Sequence, residues 1–270
     1  MTLLSEATIR IVEKSEIDYM TDRMSAIRER EGNPEGVELR KFGEATAFYS
    51  RTMAWPSFNT VKGLRDAELP FLEEIVSFFR ERERKPQIEL VPSQCGQPLL
   101  ARLHELGWRQ TGFHTSLYAD PQAERPSPQF HSSSLVEIRE LKEEESDLYA
   151  AIHCRGTGLP EEGIPYVAAN NRVLMKRPGW TFYLASYEGV PAGVGVMYTQ
   201  DLTASFTFAA TLPAYRNQGV HAALLQRRLE QAASQGCTLA VAQAAFLSVS
   251  HRNMERMGMR TAYTRAIWTE

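Results

Sequence analysis

Phe206-Thr207-Phe208-Ala209-Ala210-Thr211-Leu212-Pro213-Ala214-Tyr215-Arg216-Asn217-Gln218-Gly219-Val220-His221 runs an apolar strand into a turn and the turn into a helix. Strand-forming residues lead, Pro213 and Asn217 mark the turn, and Gly219 stands directly before an amphipathic run that starts at Val220. The first turn of such a helix has N–H groups with no partner inside the helix. Its dipole adds partial positive charge at the same place. Gly219 has no side chain, so a phosphate can approach the backbone closely. The stretch predicts an anion cradle that a pyrophosphate would fit.

Working outward, the periodicity predicts a helix over 220–235, a strand over 238–242 and a helix over 248–257 closed by Gly258-Met259. Upstream it predicts a strand over 136–139 and helices over 143–155 and 165–176. A hairpin follows, 180–187 and 192–198 about Glu188-Gly189, and then a strand over 203–210. This order is a mixed α+β layout and lacks the strict alternation of a Rossmann domain.

Part of this pattern occurs twice. In the first half an amphipathic helix over 69–84 precedes a strand over 87–91. A helix over 97–106 follows, with Leu99, Leu100, Leu103 and Leu106 at helical spacing, and Gly107-Trp108 closes it. Between the halves, 121–134 is rich in Pro and Ser without apolar periodicity and reads as a linker. The expected domains are therefore 1–120 and 135–270, related by duplication.

The segment from Arg216 resembles the coenzyme-A loop of the GNAT superfamily of N-acetyltransferases, Arg/Gln-x-x-Gly-x-Gly/Ala. Arg216, Gln218, Gly219 and Val220 match in spacing and type, and His221 stands where the pattern has Gly or Ala. The flanking Leu212-Pro213 and Ala222-Ala223-Leu224-Leu225 are also similar to the family, as is the run from Ser250 to Met259. The resemblance implies two GNAT-like domains, each a twisted mixed central sheet flanked by helices, with acetyl-CoA as co-substrate and no metal. Backbone groups of Ala210, Thr211 and Leu212 would pair with the pantetheine arm. N–H groups from Gln218 through Gly219, Val220 and His221 to Ala222 would hold the pyrophosphate, with Arg216 as a charge partner.

The acceptor, a small-molecule or peptide amine, would enter beside 153–166. Amine acetylation needs a general base and benefits from a proton donor for the leaving thiolate. His153 has a suitable ordinary pKa for the base, although a buried structural histidine fits the same position on its predicted helix. Glu161 and Glu162 fit either a base or solvated loop charges. Where the family carries a donor tyrosine, this chain has Met254, and Ser250, one turn earlier, is the substitute donor or a plain helical serine. A catalytically silent acyl-CoA-binding protein, or a transferase using another donor, remains open at this level.

In the first half the corresponding loop is expected over 56–64. It has the single glycine Gly63 and lacks the Arg-x-x-Gly spacing, and Asp66 would repel phosphate. This half is read as a degenerate copy that has lost the cofactor. It would shape the cleft or support a homodimer. Across the 270 residues, 43% hydrophobic and 23% charged content is that of an ordinary soluble protein. A net charge of -3 argues against nucleic-acid and anionic-membrane partners, and no apolar run reaches the length of a span. Three scattered cysteines fit reduced thiols, hence a cytoplasmic setting.

Overall fold

The computed structural model describes residues 3–123 and 135–270, so the predicted linker lies, from residue 124 on, outside them. The chain divides into two compact units. One is built from the chain up to Ser116 together with Ala262–Glu270, the other from Leu117–Thr261.

In the first unit, α1 (Glu6–Arg28) starts at Ser5, whose hydroxyl accepts the Thr8 N–H. β1 (Val37–Phe42) and β2 (Ala45–Ser50) form a hairpin with Phe42 opposite Ala45, so Gly43-Glu44 is a two-residue loop. Gly43 takes φ +61°, the left-handed conformation such a loop asks of its first residue. β3 (Thr60–Lys62) joins β2 antiparallel and β4 (Gln87–Leu90) parallel, and α2 (Leu72–Arg80) connects them. The helix predicted over 69–84 is shorter because Asp66–Phe71, which contains Pro70, winds as a 3-10 helix. The stretch 56–64 is also not one loop. It holds a 3-10 turn and β3, so the strand-to-helix connection begins at Gly63. Ile75, Phe78 and Phe79 of α2 and Leu99 and Leu103 of α3 (Gln97–Glu105) close on Val61, Ile88 and Leu90.

The second unit repeats the scheme. β6 (Val136–Glu140) leads to α4 (Ser146–Thr157) and α5 (Ile164–Met175). β7 (Trp180–Tyr187), β8 (Val190–Gln200) and β9 (Thr203–Thr211) form an antiparallel meander. α6 (Val220–Ser234) returns the chain so that β10 (Leu239–Ala244) lies parallel to β9, and α7 (Val249–Arg256) follows. α6 buries Val220, Ala223, Leu224, Leu225, Leu229 and Ala232 on one face, against Phe206, Ala240 and Ala242 of the sheet and Met254 and Met257. It stops at Gly236, with Cys237 N–H on Ala232 C=O and Gly236 N–H on Ala233 C=O, both C-terminal carbonyls satisfied by a left-handed glycine.

The final strands do not follow the predicted boundaries. β4 of the first unit takes its antiparallel neighbour from β11 (Arg260–Thr269), with Ala266 opposite Leu90 and Trp268 opposite Ile88. Conversely Leu117 and Ala119, at the end of β5 (Arg109–Ala119), enter the core of the second unit. The sequence predicts all of 135–270 in one domain and 1–120 in the other.

Candidate active site

Two irregularities in the second unit open a site at the end of β9. Val194 pairs with Ala210 and Val196 with Thr207, so Phe208 and Ala209 together oppose only Gly195. This is a bulge, and Phe208 takes φ +48° within it. On the other side, the parallel register with β10 runs from Thr203 opposite Leu239 to Phe206 opposite Ala242 and stops there. From Thr207 to Thr211, β9 is paired with β8 while β10 has parted from it.

Three glycines let the surrounding helices close on this point. A Cβ on Gly193 would lie 2.7 Å from Val220 Cγ1 and 3.0 Å from Ala210 O, one on Gly195 3.3 Å from the Arg228 guanidinium carbon, and one on Gly156 2.9 Å from Ala210 Cβ. They bring α6 onto β8 and the last turn of α4 onto β9.

Leu212, Pro213–Tyr215 in a 3-10 turn, Arg216 and Asn217 at φ +64° carry the chain to Gly219, which sits at φ +79° as the N-cap of α6. No side chain caps this helix. Its first helical bond is Ala223 N–H to Gly219 C=O at 2.9 Å, so the N–H groups of Val220, His221 and Ala222 precede the ladder. A Cβ on Gly219 would meet nothing within 4 Å, so the cradle faces open space. The predicted cofactor residues thus form one continuous strand end and turn. Arg216, however, donates from Nη2 to Gly156 C=O at 3.0 Å and ties the turn to α4.

His221 is half-buried, and its Nδ1 lies 3.3 Å from Asn253 Nδ2 of α7. Burial, with Arg228 as a lesser cause, pushes His221 down to about 4, so at neutral pH the imidazole is uncharged and accepts the amide proton. Arg228 itself is buried, donating to Leu224 and Val196 carbonyls and lying over the Phe206 ring at 4.9 Å. Burial draws it down to about 10. Gln243, on β10 one residue past the last parallel pair, has a buried Nε2 with no hydrogen-bond partner among the described residues.

The predicted catalytic residues are less alike in their settings. Ser250 is half-buried in the first turn of α7, which Ser248 caps by accepting His251 N–H at 3.1 Å. His153 is half-buried on α4 and stacks on Tyr149 with ring centroids 5.6 Å apart. Glu161 is exposed, and Arg155 holds it through two hydrogen bonds of 2.6 and 3.1 Å. The Arg155 guanidinium keeps that carboxyl below the usual carboxylate range, which weakens it as a base. The bulge, the Gly193-x-Gly195 pair and Gln243 went unread in the sequence. Alternating glycines inside a strand are the signal that points to close backbone approach there.

Residues 138–259 match the model of the acetyltransferase (GNAT) family. The chain therefore carries a GNAT domain, which holds every site residue named above. A GCN5-related N-acetyltransferase from Kribbella flavida superposes over 92% of this chain and 95% of its own, with TM-score 0.65 and 19% identity. A tandem GNAT protein from the clavulanic acid biosynthesis pathway aligns over 96% and 95%, with TM-score 0.58 and 15% identity. A GCN5-related N-acetyltransferase from Sphaerobacter thermophilus covers 91% of this chain and 84% of its own, at TM-score 0.62 and 13% identity. At these identities the likeness establishes the fold, two GNAT-like units in one chain. A search of curated proteins finds no match. Among the described residues no group of three or more His, Cys, Asp or Glu is placed to hold a metal, and no helix is long and apolar enough to cross a membrane.

Proposed function

We propose that the second unit transfers an acetyl group from acetyl-CoA to a primary amine of a small molecule or peptide. The observation that carries this reading is the end of β9, where the pairing with β10 stops at Phe206, running without interruption through Leu212 into the start of α6. An extended amide-bearing arm needs backbone partners along a strand, and a pyrophosphate needs convergent N–H groups. Here both lie on one continuous stretch.

Ala210, Thr211 and Leu212 offer their backbone to the pantetheine amides, and the N–H groups from Gln218 to Ala222 take the pyrophosphate. Bound acetyl-CoA supplies an activated acyl carbon and a thiolate leaving group. The chain's own residues must then accept one proton and return one. His153, at the α4 end nearest Gly156, is the base that takes the amine proton as nitrogen bonds to the acyl carbon. Ser250 is the hydrogen-bond donor to sulfur as the carbon–sulfur bond breaks, directly or through water. Glu161, engaged by Arg155, serves better to attract a cationic amine than to deprotonate it.

Calorimetric titration with acetyl-CoA, followed by a panel of amines assayed for release of free CoA thiol, tests the reading. One binding site and amine-dependent thiol release are expected. Absence of acetyl-CoA binding at millimolar concentration would remove the transferase assignment, whatever the fold.

A further inference from the structure

In each unit one side chain stands immediately past the last pair of the two parallel strands. In the first unit it is Glu89, after Ile88 opposite Val61; in the second it is Gln243, after Ala242 opposite Phe206. The two positions differ in one respect. Glu89 is engaged by Lys62 at 2.5 Å and Arg265 at 2.6 Å. The Gln243 Nε2 is also shut off from solvent and has no partner among the described residues.

The face on which Gln243 lies follows from strand alternation. Ala240, Ala242 and Ala244 all belong to the core beneath α6 and α7, so Gln243 is on the opposite face. On β7 that is the face on which α4 packs, because Tyr149 packs edge-on against Phe182 while the next residue, Tyr183, joins the α6 core. Level with Gln243 on β9 is Thr207, directly before the Phe208-Ala209 bulge. A buried amide donor left unpaired is unfavourable, and such a group where two strands part is explained when a ligand brings the acceptor.

We propose that Gln243 Nε2 donates a hydrogen bond to the acyl carbonyl oxygen of the bound thioester. This rests on the acetyl-CoA reading above. It makes Gln243 the residue by which this chain distinguishes an acylated cofactor from the free thiol. The same donor meets the negative charge that develops on that oxygen as the amine attacks. The first unit fills the equivalent place with Glu89, whose carboxylate is taken up by Lys62 and Arg265.

The test uses the intact protein, titrated calorimetrically with acetyl-CoA and with CoA, beside Gln243→Leu and Gln243→Glu. The wild type is expected to prefer acetyl-CoA by about tenfold, the size of one neutral hydrogen bond. Both variants are expected to lose that preference and keep the wild-type affinity for CoA, which also certifies their folding. With carbonyl-labelled acetyl-CoA, the bound thioester stretch should fall in frequency in the wild type and return towards its free value in Gln243→Leu. A variant that retains the wild-type ratio, one that loses both ligands equally, or a wild type without preference would each overturn the proposal while leaving acetyl-CoA binding intact. Failure of the wild type to bind either ligand overturns the acetyl-CoA reading, and this proposal with it.

Discussion

The Lys62 ammonium lies 2.5 Å from the Glu89 carboxylate at the level where β3 and β4 cease to pair. Arg265 also reaches Glu89 at 2.6 Å and is paired with Glu16, which accepts Ser116 Oγ at 2.5 Å. The parting of the parallel strands in the first unit is therefore filled by charge. Without Lys62 the single guanidinium of Arg265 faces two buried carboxylates, Glu16 and Glu89, and an uncompensated buried charge costs about 3–5 kcal/mol. Lys62→Met should lower stability by that order in urea denaturation, and acetyl-CoA should still bind at one site per chain. A second site in the variant would mean that the ion pair alone keeps cofactor out.

Gly219 combines a left-handed backbone with open space where a Cβ would stand. Asp tolerates that conformation better than most residues, so Gly219→Asp should fold. Its carboxylate would stand where the cradle needs an anion, and acetyl-CoA affinity should drop by at least a hundredfold. Calorimetry beside a thermal melt separates the two effects: full affinity in the variant would take this turn out of the site.

How much of this was legible follows from where each signal resides. The cradle was readable because its determinants are local: Gly219 must take positive φ, and the helix after it repeats its apolar residues every three to four positions. The β7–β8 hairpin was readable for the same reason, since Glu188-Gly189 both take positive φ. The bulge at Phe208-Ala209 was not, because two residues opposing Gly195 is a property of two strands at once. Gln243 sits in an alanine-rich strand and looks like a surface glutamine until the register shows where pairing ends. Arg216 kept its place in the turn, but the carbonyl it holds belongs to Gly156, sixty positions away in sequence. Glu161 beside Arg155 could have been seen as a helix-end ion pair from spacing alone.

Two histidines set the acid limit of the fold. Burial, with Arg265 as the next cause, pushes His114 down to about 4, and its Nδ1 accepts from Arg265 Nη2 at 3.1 Å. His221 is likewise pushed down to about 4. A free histidine titrates near 6.5. Between about 6.5 and 4 the unfolded chain therefore holds protons that the folded chain does not, so stability falls as pH drops through that window. Glu89 acts in the same sense: burial raises it, but Arg265 and Lys62 outweigh that and hold it low, so it too resists protonation only in the folded state. Each histidine contributes about 2 kcal/mol by pH 4.5. Urea midpoints should decline steadily below pH 6.5, and His114→Gln with His221→Gln should flatten the slope. A midpoint independent of pH over this range would contradict the buried, neutral assignment of both rings.

The crossed final strands bear on what can be cut from the chain. The sequence alone predicts that 134–270 is self-sufficient and keeps cofactor affinity. The structure argues otherwise, because that fragment lacks Leu117 and Ala119, which are fully or nearly buried in its core, and leaves Ala266 and Trp268 without the β4 they pair with. Losing a buried leucine alone removes about 2–5 kcal/mol, a large share of the stability of an ordinary domain. An unpaired β11 also presents an open edge to other chains. The fragment should therefore melt well below the intact protein and elute as oligomers in size-exclusion chromatography. A fragment beginning near residue 109 and ending at 261 should melt closer to the intact protein, since it restores Leu117 and Ala119 to the core. If 134–270 were monomeric with the intact protein's melting temperature, the exchange of strands would contribute nothing to stability.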